Sequence, residues 1–148
     1  VHQKPAFRDA FLRKRCLIPA DGFYEWKQTK TGKQPMRILL KSKKPFALAG
    51  LYDTWISPPG EKVHTCAIIT TQPNGLMKDI HHRMPAILKP EHEKLWLDPS
   101  FSDIPTLQSF LMPYPEEEMT AYPVSWEVNR ANNDSSKCIE PYFPSESS

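Results

Sequence analysis

No apolar run among the 148 residues approaches the roughly 20 that a membrane-spanning helix needs, and no signal-peptide pattern opens the chain. The expected setting is cytoplasmic, with no membrane partner. Cysteine is scarce. Cys16, Cys66 and Cys138 are odd in number and scattered, which describes no disulfide framework and fits a reducing compartment. Cys16 and Cys66 are expected to be core thiols. Metal-ligand spacing is missing too. His64, Cys66, His81 and His82 form no Cys-x-x-Cys or His-Glu-x-x-His pattern, so no metal and no other cofactor is expected. There is no internal repeat and no long low-complexity tract.

What remains is an ordinary soluble composition, 39% hydrophobic and 24% charged, in a chain long enough for one real core. The expectation is a single domain over 1–148, with a polar and irregular surface tail at 132–148. The net charge of +2 conceals an asymmetry. Up to Lys44 there are 12 Lys or Arg against 3 Asp or Glu, a balance of +9. The remaining 7 basic and 14 acidic residues give −7. The basic segment, with Arg8, Arg13, Lys14, Arg15 and Arg37 among its residues, has the electrostatic footprint of a phosphate-backbone partner. A solvated basic face is the alternative.

Phe7 to Lys14 suits a short helix with Phe7 and Phe11 on one face. Cys16 to Ile18 and Phe23 to Trp26 read as a strand broken or bulged at Asp21-Gly22. Lys30-Thr31-Gly32 signals a turn, with Pro35 to Leu40 as the returning strand. Phe46 to Trp55 and His64 to Thr71 are β-leaning runs joined by Pro58-Pro59-Gly60. A short strand at Ala86 to Leu88, a proline-initiated helix from Pro90 to Leu97, a helix from Ile104 to Met112 and a strand from Thr120 to Val124 complete the order. This order predicts an α+β fold, a mostly antiparallel, barrel-like sheet with a few short flanking helices, and not a doubly wound one.

Two runs carry the chemistry. Pro19-Ala20-Asp21-Gly22-Phe23-Tyr24-Glu25-Trp26 sets a carboxylate among aromatic residues, and Ile80-His81-His82-Arg83-Met84-Pro85 sets imidazoles beside an arginine where proline stops a helix. Together they make a candidate acid/base pair. Strand alternation puts Phe23, Glu25 and Lys27 on one face and Tyr24 and Trp26 on the other. Glu25 is then either a surface residue or part of a pocket beside Phe23, where desolvation would raise its pKa. On an extended segment His81 and His82 point to opposite sides, so at most one of them faces a given site.

The stretch from Cys16 to Trp26 closely resembles the SOS response-associated peptidase (SRAP) family. Ala67 to Thr71, Leu76-Met77 and Ile80 to Leu88 are similar to the family's central block, and Pro123-Val124-Ser125 with Val128-Asn129 to its C-terminal signature. The resemblance implies a DNA-damage response protein, nucleoid-associated in a bacterium, that recognises abasic sites in single-stranded DNA. It further implies a thiazolidine crosslink formed through an N-terminal cysteine exposed by self-removal of the initiator methionine, with no obligatory protein partner. Glu25 and His81 match the family's catalytic glutamate and histidine, and His82 falls on a variable position. Arg8, Arg13, Lys14, Arg15, Trp26, Arg83 and Met84 are the candidate DNA contacts. The N-terminal cysteine and the asparagine that helps place it match nothing in this chain. Val1 aligns just beyond them, so the chain alone is expected to be inactive. Two rival classes are a noncatalytic single-strand-binding module and a conventional peptidase or hydrolase.

Overall fold

The computed structural model describes residues 5–129; the tail at 132–148 and Cys138 lie outside them. These residues form helices α1 (Pro5–Arg13), α2 (Pro90–Leu97) and α3 (Ile104–Ser109). The longer strands are β1 (Arg15–Ala20), β2 (Phe23–Thr29), β3 (Gly32–Leu40), β4 (Phe46–Ile56) and β5 (Lys62–Ile68). Two-residue strands β6 (Thr70–Thr71), β7 (Met84–Pro85) and β8 (Ile87–Leu88) follow, and β9 (Met119–Pro123) comes last. The fold is α+β with antiparallel pairing, as the element order predicts. Barrel-like describes it only loosely, because the sheets do not close into a barrel among the described residues. No helix among them is long and apolar enough to cross a membrane.

The chain forms two compact units, each assembled from three separated stretches. The first, which among the described residues takes in 5–20, 46–71 and 85–114, holds α1, α2 and α3 around the sheet order β1-β4-β5, with β8 also on β4. Its core gathers Phe11, Leu51, Leu88, Trp96 and Leu107. The four-residue spacing of Phe7 and Phe11 stacks their rings at 6.3 Å, and Phe11 meets Trp96 edge-on at 5.9 Å. Pro90 opens α2 where its missing N–H costs nothing, and Glu91 and Glu93 in the first turn suit the positive end of the helix dipole.

Arg15 organises this core and corrects an expectation. It is 6% exposed. Nε donates to the Trp96 carbonyl at 2.6 Å, Nη1 to Phe11 and Leu12 at 2.7 and 3.0 Å, and Nη2 to Asp98 and Phe101 at 2.6 and 2.8 Å. Each N–H thus meets a carbonyl, four of them where α1 and α2 end and the fifth, of Phe101, in the loop after α2. Burial pulls its pKa below the ordinary arginine value, with the Asp98 charge acting the other way. Arg15 is therefore a helix-end clamp and not a DNA contact. Cys66 departs from expectation as well. It lies exposed on β5, opposite Tyr52, on a strand paired through β4 alone, whereas Cys16 is half-buried and its thiol pKa is raised by that burial.

The second unit, which among the described residues takes in 21–45, 72–84 and 115–129, carries the sheet order β2-β3-β9. The turn at Lys30-Thr31 is the expected one; Gly32 takes φ +122°, and Thr29 Oγ1 donates to its carbonyl at 2.7 Å. The chain does break at Asp21-Gly22, but the two halves, β1 and β2, join different sheets. Buried Gln34 explains the late Pro123-Val124 motif. Its Nε2 donates to the Val124 carbonyl at 2.9 Å while the Val124 N–H donates back to Pro35 at 3.0 Å.

Candidate functional site

Glu25 sits in mid-β2, opposite Met36 of β3. Alternation sends it with Phe23 and Lys27 to one face of the ribbon, leaving Tyr24 and Trp26 on the other. His81 arrives from a separate part of the same unit. A 3-10 turn at Met77–Asp79 is closed by the Ile80 and His81 N–H groups, which both donate to the Met77 carbonyl at 2.8 Å. Asn74 prepares that turn. Its Oδ1 accepts from the Met77 N–H at 2.9 Å, and its own N–H and Nδ2 point at the sulfurs of Met84 and Met119 at 3.3 Å.

The outcome brings His81 Nδ1 to 3.6 Å from Glu25 Oε2, with side chains 35% and 23% exposed. The separation is too long for a direct hydrogen bond and short enough for an ion pair once the imidazole is charged. Nδ1 has two other neighbours. The Arg83 N–H can donate to it at 3.2 Å, and the Arg83 carbonyl can accept from it at 3.3 Å. With the ring neutral and its proton on Nε2, Nδ1 accepts from the Arg83 backbone. With the ring protonated, Nδ1–H is offered to the Arg83 carbonyl and the Glu25 carboxylate. One backbone residue therefore supports both protonation states, as a proton shuttle requires.

The histidines are not splayed as an extended segment would have them. Their rings lie side by side, centroids 4.4 Å apart and tilted by 31°, because the chain bends here instead of running as a strand. His82 is the exposed partner. Met84 is corrected too. At 1% exposure, with the Asn74 N–H directed at its sulfur, it is a core residue and cannot wedge between bases. Trp26 and Arg83 are half-buried in this unit. On the first unit, Arg8 and Arg13 are exposed on α1; Arg13 pairs with Asp9 at 3.4 Å, and Lys14 is held by Asp53 at 3.0 Å. That hydrogen bond to Asp53 raises the Lys14 pKa. Among the described residues no three of His, Cys, Asp or Glu converge as a metal would need.

Two features of this unit were missed by sequence reasoning. Asn74 could have been found, because an asparagine just before a short helical turn commonly offers its side-chain oxygen to the N–H three residues on. The pairing of Arg37 with Asp21 could not, since it depends on β3 lying against β2. Arg37 stands opposite Tyr24, its Cζ is 5.2 Å from the ring centroid, and its Nη2 meets Asp21 Oδ1 at 3.0 Å. Gly22 leaves room for it: a Cβ there would lie 2.5 Å from Arg37 Cζ and 2.8 Å from the Ile38 carbonyl. The carbonyl belongs to a strand and cannot swing aside. Gly22→Ala is therefore expected to destabilise the chain by about 1–3 kcal/mol, read as a lower denaturation midpoint. A wild-type midpoint would mean the turn is looser than its packing indicates.

A family profile described as SOS response associated peptidase (SRAP) matches residues 1–131. The abasic site processing protein YoqW of Bacillus subtilis is 54% identical over 144 residues, which cover 96% of this chain and 64% of YoqW. The abasic site processing protein HMCES of Gallus gallus is 35% identical over 159 aligned positions, 93% of this chain and 47% of that protein. A crystal structure of a protein from Bacteroides thetaiotaomicron superposes with a TM-score of 0.88 at 36% identity, covering 97% of this chain and 63% of the other. The chain thus spans just under two thirds of the length of YoqW and of the Bacteroides protein.

Proposed function

Because the chain belongs to the SOS response associated peptidase (SRAP) family, we propose that it recognises abasic sites in single-stranded DNA and carries the acid/base pair for their covalent capture. The observation that carries this reading is the Glu25–His81 pair, two partly accessible proton-transfer groups 3.6 Å apart on independently braced segments. The names of YoqW and HMCES supply the substrate class.

An abasic deoxyribose is mostly a closed ring, and capture starts when that ring opens to the aldehyde. Opening requires a proton on the ring oxygen and loss of one from the anomeric hydroxyl, a task for one group that both gives and takes protons. Glu25 takes this role, with His81 resupplying or accepting the proton through Nδ1. In a protein of this family whose first residue is cysteine, the α-amine, partly neutral near pH 7, adds to the aldehyde and loses water to form an imine. The thiol then adds across the C=N bond, its proton passing to nitrogen, and closes a thiazolidine. Reversal needs the same proton transfers in the opposite sense. Self-removal of an initiator methionine is the one proteolytic step that this reading contains.

The chain itself provides a direct test. A polypeptide confined to residues 1–148 and made without an N-terminal cysteine is expected to bind undamaged single-stranded DNA reversibly and to leave no heat-stable band on a denaturing gel with an abasic oligonucleotide. The logarithm of its binding constant should fall linearly with that of the salt concentration, by about 0.7 for each phosphate neutralised. A flat salt response would remove Arg8, Arg13 and Lys14 from the interface. A shifted band would show that the chemistry needs no N-terminal cysteine.

A further inference from the structure

Arg37 is not accounted for by the acid/base pair. It lies in the middle of β3, where an alternating strand normally buries an apolar side chain, and its side chain is only 9% exposed. A buried guanidinium is costly unless its charge and its N–H groups are matched. Arg15, in the other unit, meets that demand with a carbonyl for every N–H. Arg37 does not. Among the described residues its hydrogen-bond acceptor is a single carboxylate oxygen of Asp21, and that aspartate is 81% exposed, so water weakens its hold. The remaining N–H groups are not sealed away, since no fully buried side-chain nitrogen in the described residues lacks a partner. They therefore keep some contact with solvent where the guanidinium lies beside Gly22 and Tyr24.

We propose that Arg37 is a phosphodiester-binding residue held in reserve by Asp21. The inference rests on the single-stranded DNA reading above and adds a contact outside the acid/base pair. A phosphodiester presents two anionic oxygens in the geometry of the guanidinium fork, whereas Asp21 engages one nitrogen. The arginine is already ordered: Tyr24 supports it on one side, the β-ribbon holds its stem, and the absence of a side chain at Gly22 lets it lie against the backbone. Binding therefore costs little side-chain entropy. Asp21 has little to lose on release because it is solvated already. Because Arg37 stands opposite Tyr24, it lies on the face of the β2–β3 ribbon away from Glu25, and the phosphate it takes belongs to a part of the strand outside the proton-transfer site.

A double-mutant cycle on single-stranded DNA binding tests the proposal. Arg37→Met, which keeps the length of the stem, should weaken binding of an undamaged oligonucleotide about five- to tenfold and lower the salt slope by about 0.7, one phosphate. Asp21→Asn should tighten binding several-fold, and that gain should vanish in the Arg37→Met background. If the gain persists there, Asp21 acts only as a general negative charge and the latch is wrong. If Arg37→Met lowers the melting temperature but leaves affinity and slope intact, Arg37 is purely structural and the proposal fails. Should Arg37→Met not fold, Arg37→Lys retains the charge without the fork: the slope should stay and the affinity fall, and an unchanged affinity would overturn the proposal. Dimethyl phosphate, titrated while the Arg37 Nε–H resonance is followed, separates this idea from the wider one. A shift without oligonucleotide binding would uphold the site and sink the DNA reading. Oligonucleotide binding with a silent resonance and an intact slope would do the reverse.

Discussion

Glu25→Gln is expected to slow both formation and hydrolytic release of the abasic-site adduct by about 10²–10⁴-fold, the usual loss when one positioned acid/base group is removed. The substitution preserves volume and hydrogen bonding, so the strand register opposite Met36 should survive and affinity for intact DNA should not change. The measurement is made on a family-length form of the protein that begins with cysteine, following adduct appearance and disappearance on an abasic oligonucleotide and binding separately on undamaged DNA. His81→Ala should share part of the defect, mainly in reversal, since it removes the resupply of protons at 3.6 Å from Glu25. His82→Ala should do much less. Its ring lies beside that of His81 but is exposed, and the Arg83 backbone contacts belong to His81. A His82→Ala defect as large as that of His81→Ala would mean that the adjacent pair of rings, and not His81 alone, carries the proton. Unchanged rates in Glu25→Gln would end the acid/base assignment and favour a noncatalytic single-strand-binding module.

The second large effect concerns stability. Arg15→Met should cost about 3–5 kcal/mol, because four carbonyls at the ends of α1 and α2 and that of Phe101 in the following loop lose their donors at once, and a buried acceptor without a partner costs about 1–3 kcal/mol before water relieves it. Domains of this size are stable by only about 5–15 kcal/mol, so the variant should unfold at a much lower denaturant concentration or fail to accumulate folded. Arg15→Lys, with a charge but no planar fork, should fall between the two. The readout is the chemical denaturation midpoint. A loss under about 1 kcal/mol for Arg15→Met would return Arg15 to the list of surface cations open to DNA.

The local rules of the chain were legible in one dimension. Proline at the first turn of α2, glycine at the β2–β3 turn and the four-residue spacing of Phe7 and Phe11 each state a backbone preference that needs no distant partner. The same holds for the alternation that separates Glu25 from its aromatic neighbours, and for the resemblance of the Glu25 and His81 runs to their family, since motifs are contiguous. Tertiary structure decided which charged and polar residues are spent inside. Arg15 and Arg8 look alike in a charge count, yet one closes two helix ends and the other faces solvent, because only the packing of α1 against α2 creates unpaired carbonyls in reach of a guanidinium. Met84 became core and His81 and His82 came side by side because a turn anchored by Asn74 replaces the extended segment that alternation assumes. Arg37 met Asp21 through strand pairing across 16 residues, and Glu25 met His81 across a still longer separation. Such contacts are set by loop closure and the burial of apolar faces, which act on the whole chain at once and leave no mark at any single position.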